Sequence, residues 1–202
     1  MLISSIFSDF INCKPNKGIL HIGAHMCEEK QFYNNNGIRD DNILWIEANS
    51  DLINPEQKNI FNAVISNEDD EIVNFIITNN IQSSSILELY KYLEEYPDVI
   101  EIERRQLKTI SLNTLYEINN IPYDRYDFIN LDIQGMELKV LKGADKILPN
   151  VKSIYTKIST KELYKNGALL PELDEFLEKN GFKRISISMT QHYWGDALYI
   201  KE

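Results

Sequence analysis

The chain has 202 residues, of which 43% are hydrophobic and 26% charged, so it fits one globular domain and is neither a disordered tail nor a fibre. A net charge of −10 at pH 7 argues against a broad basic surface for nucleic acid. Cys13 and Cys27 form neither a disulfide framework nor a cluster with zinc spacing, so we expect a reducing compartment, the cytoplasm, and no metal site. The sequence shows no targeting segment and no apolar stretch long enough for a bilayer, so we expect no membrane partner.

We predict a lead over residues 1–17 and one domain over residues 18–202, in which short apolar strands alternate with helices. The strands are predicted at residues 19–22, 43–48, 59–65, 71–78, 126–132, 152–158, 184–189 and 197–201. The helices are predicted at residues 28–35, 86–96, 136–148 and 171–180.

Strands that alternate with helices require crossover connections. This organisation predicts a mostly parallel sheet with helices on both faces. Ligands of such sheets bind at the carboxyl ends of the strands, where the strand order reverses. We therefore expect the site at the turns after the first strand, the second strand and the strand in YDFINLD (residues 126–132).

The turn after the first strand, HIGAHMCE, contains one glycine, Gly23. A dinucleotide fingerprint has a second glycine at the position of His25, so NAD is disfavoured. S-adenosylmethionine carries no phosphate, and we expect this turn to offer its carboxylate free amide donors. Glu47 follows Cys27 by about twenty residues, the offset of an acid that binds ribose hydroxyls. The alternative is that Glu47 is a solvated acid and Gly23 an ordinary turn glycine.

Seven segments, in their order and spacing, resemble the FkbM family of S-adenosylmethionine-dependent methyltransferases. They are HIGAHMCEE (21–29), LWIEAN (44–49), NAVISN (62–67), QSSSILE (82–88), YDFINLDIQGMELKVLKGA (126–144), ELYKNGALLPELDEFL (162–177) and WGDALYI (194–200). The resemblance implies a class I methyltransferase fold, a Rossmann-like α/β three-layer sandwich with a seven-stranded, mostly parallel sheet and an antiparallel last strand. It also implies methyl transfer to a hydroxyl of a sugar or a small metabolite.

By position, the resemblance implies a set of cofactor-binding residues. These are Gly23, Ala24 and His25 at the methionine part, Glu47 at the ribose, Ala63 and Val64 near the adenine, and Asp132 facing the reacting methyl group.

Three residues depart from the family pattern. His21 stands where many members have an acid, which removes one counter-charge for the cofactor's ammonium group. Cys27 replaces a common glycine, and its β-carbon narrows the turn if the site needs a positive φ. Lys157 stands where relatives often have a glutamate, which removes a catalytic or orienting carboxylate.

Transfer to a hydroxyl requires alignment and benefits from a general base. The candidate bases are Asp132, His25 and His192, and Asp132 is the best placed because strand-end carboxylates project into the crevice. The structural alternatives are a helix-capping role for Asp132 and a turn role for His25.

Several polar and aromatic residues are candidates for acceptor binding. They are Ser83, Ser84, Ser85, Tyr164 and Trp194. The alternatives are a helix N-cap for the serines, a surface loop for Tyr164 and a plug at the sheet end for Trp194.

We predict a cytoplasmic O-methyltransferase with S-adenosylmethionine as cofactor and a small-molecule or glycan acceptor, such as a nucleotide-sugar. Neither nucleic acid nor a membrane is expected as a partner, and the sequence does not indicate an oligomeric state. Two alternatives stay open: a catalytically silent binding module with the same fold, and an NAD-dependent oxidoreductase.

Overall fold

The computed structural model describes Phe10 and residues 13–202, and all statements on the structure refer to this part of the chain. The strands are β1 Ile19–Ile22, β2 Ile43–Glu47, β3 Ile60–Asn62, β4 Val64–Ser66, β5 Ile72–Thr78, β6 Glu101–Ser111, β7 Phe128–Leu131, β8 Ser153–Ser159, β9 Phe182–Met189 and β10 Trp194–Lys201. The α-helices are α1 Lys30–Asn35, α2 Tyr92–Glu95, α3 Leu112–Ile118, α4 Glu137–Lys142 and α5 Leu170–Lys179.

The main sheet has seven strands in the order β3-β2-β1-β7-β8-β10-β9. Strands β3, β2, β1, β7 and β8 are parallel, whereas β10 is antiparallel to both of its neighbours. The strand order reverses at β1, which lies between β2 and β7. The predicted mostly parallel seven-stranded sheet with an antiparallel last strand is therefore confirmed.

Both faces of the sheet are covered, which explains why its central strands are apolar throughout. Leu20 and Ile22 pack on the face that carries α3, α4 and α5. Ile19 packs on the opposite face with Tyr33 of α1. Residues of one strand point alternately to the two faces, so a strand buried on both sides needs a continuous apolar run. The result is a three-layer α/β sandwich.

The predicted strand at 59–65 divides into two strands that belong to different sheets. β3 pairs with β2 in the main sheet, whereas β4 pairs with β6 in a second, three-stranded sheet of order β4-β6-β5. Ala63 lies at the division, and its N–H donates to the carbonyl of Glu47 (3.1 Å). Neither β6 nor α3 was predicted from the sequence.

The predicted helix over 86–96 was wrong, because only the four residues of α2 are helical. The backbone N–H groups of Tyr90 and Tyr92 both donate to the carbonyl of Leu163. Leu89 forms an isolated bridge with Tyr164. Contacts with a distant segment thus replace the local hydrogen bonds of a helix, although the apolar spacing is helical.

Both ends of the last helix lie within one residue of the predicted range, 171–180. The carboxylate of Glu172 accepts the N–H of Leu169 (2.9 Å), and Gly181 follows the helix with a φ of +81°. None of the helices in the described part of the chain combines the length and apolar character that crossing a bilayer requires.

Candidate active site

A cavity of about 370 Å³ opens at the carboxyl ends of β1, β2 and β7. Small-molecule and cofactor sites have volumes of about 300–1,000 Å³. The cavity lies where the strand order reverses, as the sequence analysis predicted. Gly23, Glu47 and Asp132 line it, together with Lys157 and Asp196 from β8 and β10.

Gly23 allows the loops after β1 and β7 to touch. Its φ is +84°, and a β-carbon on it would lie 2.0 Å from the carbonyl oxygen of Asp132. An L-residue at this position would combine backbone strain with a clash against main chain. The glycine is therefore required by the protein's own packing beside the cavity.

The expectation of free amide donors in this turn was wrong. The N–H groups of Gly23 and Ala24 both donate to the carbonyl of Ile46 (2.9 and 3.0 Å). The N–H of His25 donates to Glu47 (2.7 Å). Ala24 is fully buried in the core and does not line the cavity. The turn therefore uses these amides to fix itself against β2.

Glu47 is held with both carboxylate oxygens in place. The N–H of His25 donates to Oε2 and the N–H of Asn49 donates to Oε1, each at 2.7 Å. The side chain is 8% exposed, so the alternative of a solvated acid is wrong. Burial raises the pKa of Glu47, and the two amides act in the opposite direction. Each oxygen retains a second lone pair, so the carboxylate can accept two ribose hydroxyls.

Beside Glu47 the cavity has an apolar wall that fits a flat aromatic base. Ala63 and Val64 line it as predicted, and they are joined by Leu52, Ile65 and Phe75. The hydrogen bond from the N–H of Ala63 to the carbonyl of Glu47 fixes this wall against the end of β2.

Three charged side chains meet at the other end of the cavity. The ammonium nitrogen of Lys157 lies 2.9 Å from Oδ1 of Asp132, and Asp196 is the direct neighbour of Lys157 across the β8–β10 pair. Burial raises the pKa of Asp132, but several interactions, of which the charge of the Lys157 ammonium is the largest, together hold that pKa below its ordinary value. Burial raises the pKa of Asp196 to about 6. Lys157 thus fills the position of the missing glutamate with the opposite charge.

His21 is neutral and cannot replace the acid that many relatives have at its position. Burial lowers its pKa to about 3. The side-chain amide of Asn130 donates to the hydroxyl of Tyr33 (2.8 Å), which lies 3.0 Å from Nδ1 of His21. The Tyr33 hydroxyl therefore donates to Nδ1, and the imidazole is part of a buried polar network.

The cavity as a whole is acidic and suits a cationic ligand. S-adenosylmethionine carries a sulfonium and an ammonium group against one carboxylate, so the negative potential of this lining favours it. The charged residues of the described lining are Glu28, Glu29, Glu47, Asp132 and Asp196 against Lys157. The volume, the held Glu47, the apolar wall and the acidic lining together fit this cofactor.

The two candidate histidines lie in different places. His25 lines the cavity with a φ of +47°, and its Nδ1 is 2.5 Å from the carboxylate of Glu28. His192 lies outside the cavity lining, with Nδ1 3.2 Å from Glu95 and its ring packed on Tyr96. The structure therefore does not bring His192 to the site.

The candidate acceptor residues surround the acidic end. Ser84 and Ser85 line the main cavity, whereas Ser83 and Tyr164 line a smaller cavity next to it. Trp194 lines both cavities. No helix starts directly after the serines, so the N-cap alternative is wrong, and the Ser85 hydroxyl accepts the N–H of Leu87 in a turn. Tyr164 is buried rather than part of a surface loop.

Cys27 has a φ of +60°, so its backbone adopts the positive φ that favours the glycine common at this position in the family. Its side chain packs in the core with Tyr33 and Phe128 and does not line the cavity. The β-carbon therefore does not narrow the site. Burial raises the pKa of the thiol to about 12.

Sequence reasoning missed Glu137, which shapes the loop after β7. The carboxylate is 4% exposed and accepts the N–H groups of Ile133 (3.2 Å) and Gly135 (2.9 Å). Between them, Gln134 has a φ of +56°. An acid at the start of a helix, directly after a glycine-containing loop, was the pattern that could have indicated this role.

The comparisons with known proteins agree with this geometry. Residues 21–184 match the family profile described as the methyltransferase FkbM domain. The crystal structure of magnesium protoporphyrin IX methyltransferase from Synechocystis PCC 6803 with bound SAM is similar over 99% of this chain and 78% of that one, with 9% identity and a TM-score of 0.51. A structure of Streptococcus pneumoniae Sp1610 covers 100% of this chain and 70% of its own, with 10% identity and a TM-score of 0.45.

Among curated proteins, none matches the chain. The fold is that of class I methyltransferases. The matched segment spans most of the chain. It includes the carboxyl end of β1 and all of β2, β7 and β8, the strands that build the cavity. The chain therefore belongs to the FkbM methyltransferase family, whose members use S-adenosylmethionine as the methyl donor.

Proposed function

We propose that the protein is an O-methyltransferase that methylates a hydroxyl of a sugar, a glycan or a nucleotide-sugar in the cytoplasm. The observation that carries the proposal is the pair of carboxylates, Asp132 and Asp196, on either side of Lys157 at the acidic end of the cavity. A hydroxyl loses a proton when it is methylated, and these carboxylates can receive it. Trp194 at the same end offers an aromatic surface for a sugar ring.

When bound, S-adenosylmethionine supplies a methyl group activated by its sulfonium. Glu47 would hold the ribose hydroxyls, and the acidic lining would neutralise the positive groups of the cofactor. Holding the acceptor oxygen in line with the methyl group lowers the barrier by roughly 7–11 kcal/mol. A general base adds a factor of roughly 10²–10⁴.

Of the two carboxylates, Asp196 is the better proton acceptor. Asp132 forms an ion pair with Lys157, and its Oδ1 accepts a hydrogen bond from the side-chain amide of Gln134 (3.0 Å). Its lowered pKa makes it a weak base. Asp196 has a pKa of about 6, nearer to neutral pH. A base is most effective when its pKa is close to the working pH.

Nucleic acid is a poor acceptor for this site, because its phosphates would face the acidic lining around the cavity. The same lining favours an acceptor that carries no negative charge next to the reacting hydroxyl.

Methyl transfer from tritiated S-adenosylmethionine to a panel of glycosides tests the proposal, with the methylated atom located by NMR. We expect a methyl ether as product. Asp196→Asn should lower the turnover roughly 10²- to 10⁴-fold and leave the affinity for S-adenosylhomocysteine unchanged. A product methylated on nitrogen or carbon would refute O-methylation, and full turnover of Asp196→Asn would refute the assignment of the base.

A further inference from the structure

A second cavity of about 90 Å³ lies beside the main one. The two cavities share Gln82, Gln134, Lys157 and Trp194 in their linings, so these residues lie at the boundary between them. This boundary lies at the end of the main cavity that carries Asp132 and Asp196, opposite Glu47. A molecule that presents a hydroxyl to this acidic end could extend into the second cavity.

The second cavity differs in chemistry from the first, because its described lining contains no carboxylate. Its uncharged polar side chains are amides and hydroxyls, from Asn80, Gln82, Gln134, Ser83, Ser159, Tyr92 and Tyr164, and the indole N–H of Trp194. The charged residue of this lining is Lys157, which is already paired with Asp132 and faces Asp196. The cavity therefore offers hydrogen bonds without an unbalanced positive charge.

The polar wall of this cavity is held in place by its own hydrogen bonds. The hydroxyl of Tyr164 lies 3.1 Å from both the carbonyl of Ser83 and Oε1 of Gln134. The side-chain amide of Asn80 donates to the hydroxyl oxygen of Ser83 (2.7 Å). Trp194 is fixed by donating its indole N–H to the hydroxyl of Tyr96 (2.8 Å). Such a preorganised wall loses little conformational entropy when a ligand binds.

Gln134 connects this wall to the reaction centre. Its Oε1 lies near Tyr164, and its amide nitrogen donates to Asp132. Its positive φ of +56° is held by the two bonds that Glu137 makes to Ile133 and Gly135. Strained backbone that is held in this way is typical of functional sites.

We propose that the second cavity is the acceptor subsite and takes one uncharged, hydroxyl- or amide-bearing substituent of the acceptor. A water molecule occupies about 30 Å³ of liquid, so the space suits a group such as hydroxymethyl or acetamido rather than a whole sugar ring. A carboxylate or phosphate there would be desolvated next to Asp132 and Asp196 without a free cation. This assignment rests on the proposed function.

The test compares three probes that differ only at one substituent: methyl glucoside, its 6-carboxylate and its 6-phosphate. Binding to the protein saturated with S-adenosylhomocysteine is measured by ligand-observed NMR titration, and methyl transfer to the same probes is measured in parallel. We expect the neutral glycoside to bind at least about tenfold more tightly than either anion. Equal or tighter binding of an anionic probe would overturn the subsite.

Tyr164→Phe provides the local test, and Tyr123→Phe is its matched control. The hydroxyl of Tyr123 donates to Glu117 in an exposed hydrogen bond, and Tyr123 lines neither of the two cavities. Tyr164→Phe should weaken the binding of the neutral probe several-fold without changing the affinity for S-adenosylhomocysteine. Tyr123→Phe should change neither affinity. If glycosides accept methyl groups but Tyr164→Phe binds them normally, only the subsite fails. If no glycoside of any charge binds or reacts, the proposed function fails together with it.

Discussion

The ammonium nitrogen of Lys157 lies 2.9 Å from the carboxylate of Asp132, and both side chains are only 13% exposed. A buried pair of this kind depends on both partners, because removing either one leaves the other charge desolvated without its ion-pair partner. The pair also sets the protonation of the reaction centre, since Lys157 keeps Asp132 ionised and leaves Asp196 as the more basic carboxylate.

Lys157→Met should destabilise the protein by about 3–5 kcal/mol, because it leaves Asp132 buried without its cation. The double variant with Asp132→Asn should recover most of this loss, since it removes the orphaned charge. Urea unfolding at pH 7.5 measures both free energies. An unaltered unfolding free energy for Lys157→Met would show that the two groups are not paired in solution.

Glu47→Gln should weaken binding of S-adenosylhomocysteine by about 10- to 100-fold. The amide retains one acceptor oxygen and turns its NH₂ group toward the N–H of either His25 or Asn49, so the loop and the ribose contacts are both disturbed. Calorimetry measures the affinity, with Glu56→Gln on the surface as control. Wild-type affinity in Glu47→Gln would remove this carboxylate from the cofactor site.

Gly23→Ala and Gly37→Ala separate backbone strain from close packing. Both glycines have φ near +80°, but a β-carbon at Gly37 would meet only the end of the Lys14 side chain at 3.2 Å. Gly37→Ala should therefore cost about 1–2 kcal/mol. Gly23→Ala should cost more than about 4 kcal/mol, because the backbone of Asp132 cannot move aside. Equal shifts of the urea midpoint in the two variants would contradict the close approach of the β1 and β7 loops.

The contribution of Glu137 to the free energy of unfolding should fall as the pH rises through 7. Burial raises the pKa of Glu137 from 4.5 to about 7. The folded protein therefore keeps this proton at pH values where the unfolded chain has lost it, and the stability present below pH 4.5 is lost as the pH rises through 7. Unfolding free energies between pH 5 and 8 measure the slope.

Glu137→Gln should flatten that slope, because the amide does not titrate. It should also lower the stability at pH 5 by about 1–3 kcal/mol, since one of the two backbone N–H groups of the loop loses its acceptor. A variant with the wild-type slope would show that Glu137 is not the group that titrates.

The location of the site was predictable from the sequence, but its hydrogen bonds and ion pairs were not. Buried strands at residues 19–22, 43–47 and 128–131 can be identified from apolar runs, and parallel strands place Gly23, Glu47 and Asp132 at one edge. The acceptor of a backbone N–H group depends on which strand lies beside it. The N–H groups of Gly23 and Ala24 were expected to bind a ligand, but they donate to the carbonyl of Ile46.

The errors outside the main sheet have a similar cause. The apolar spacing in residues 86–96 is helical, but Leu163 and Tyr164 supply the packing and the hydrogen bonds of this segment from a distance. Lys157 was read only as a lost glutamate, because a sequence does not show that Asp132 and Asp196 flank it. The strands could therefore be predicted from local patterns, whereas the pairing of the charged side chains depends on long-range contacts.

A crystal structure of the protein with S-adenosylhomocysteine tests the central claim most directly. The account predicts that the adenosyl group fills the cavity, with both ribose hydroxyls about 2.7 Å from the carboxylate of Glu47 and the base against Ala63 and Val64. The thioether sulfur should point toward Asp132, Lys157 and Asp196. A ligand bound elsewhere, or a cavity closed by the protein's own side chains at saturating ligand, would contradict the account.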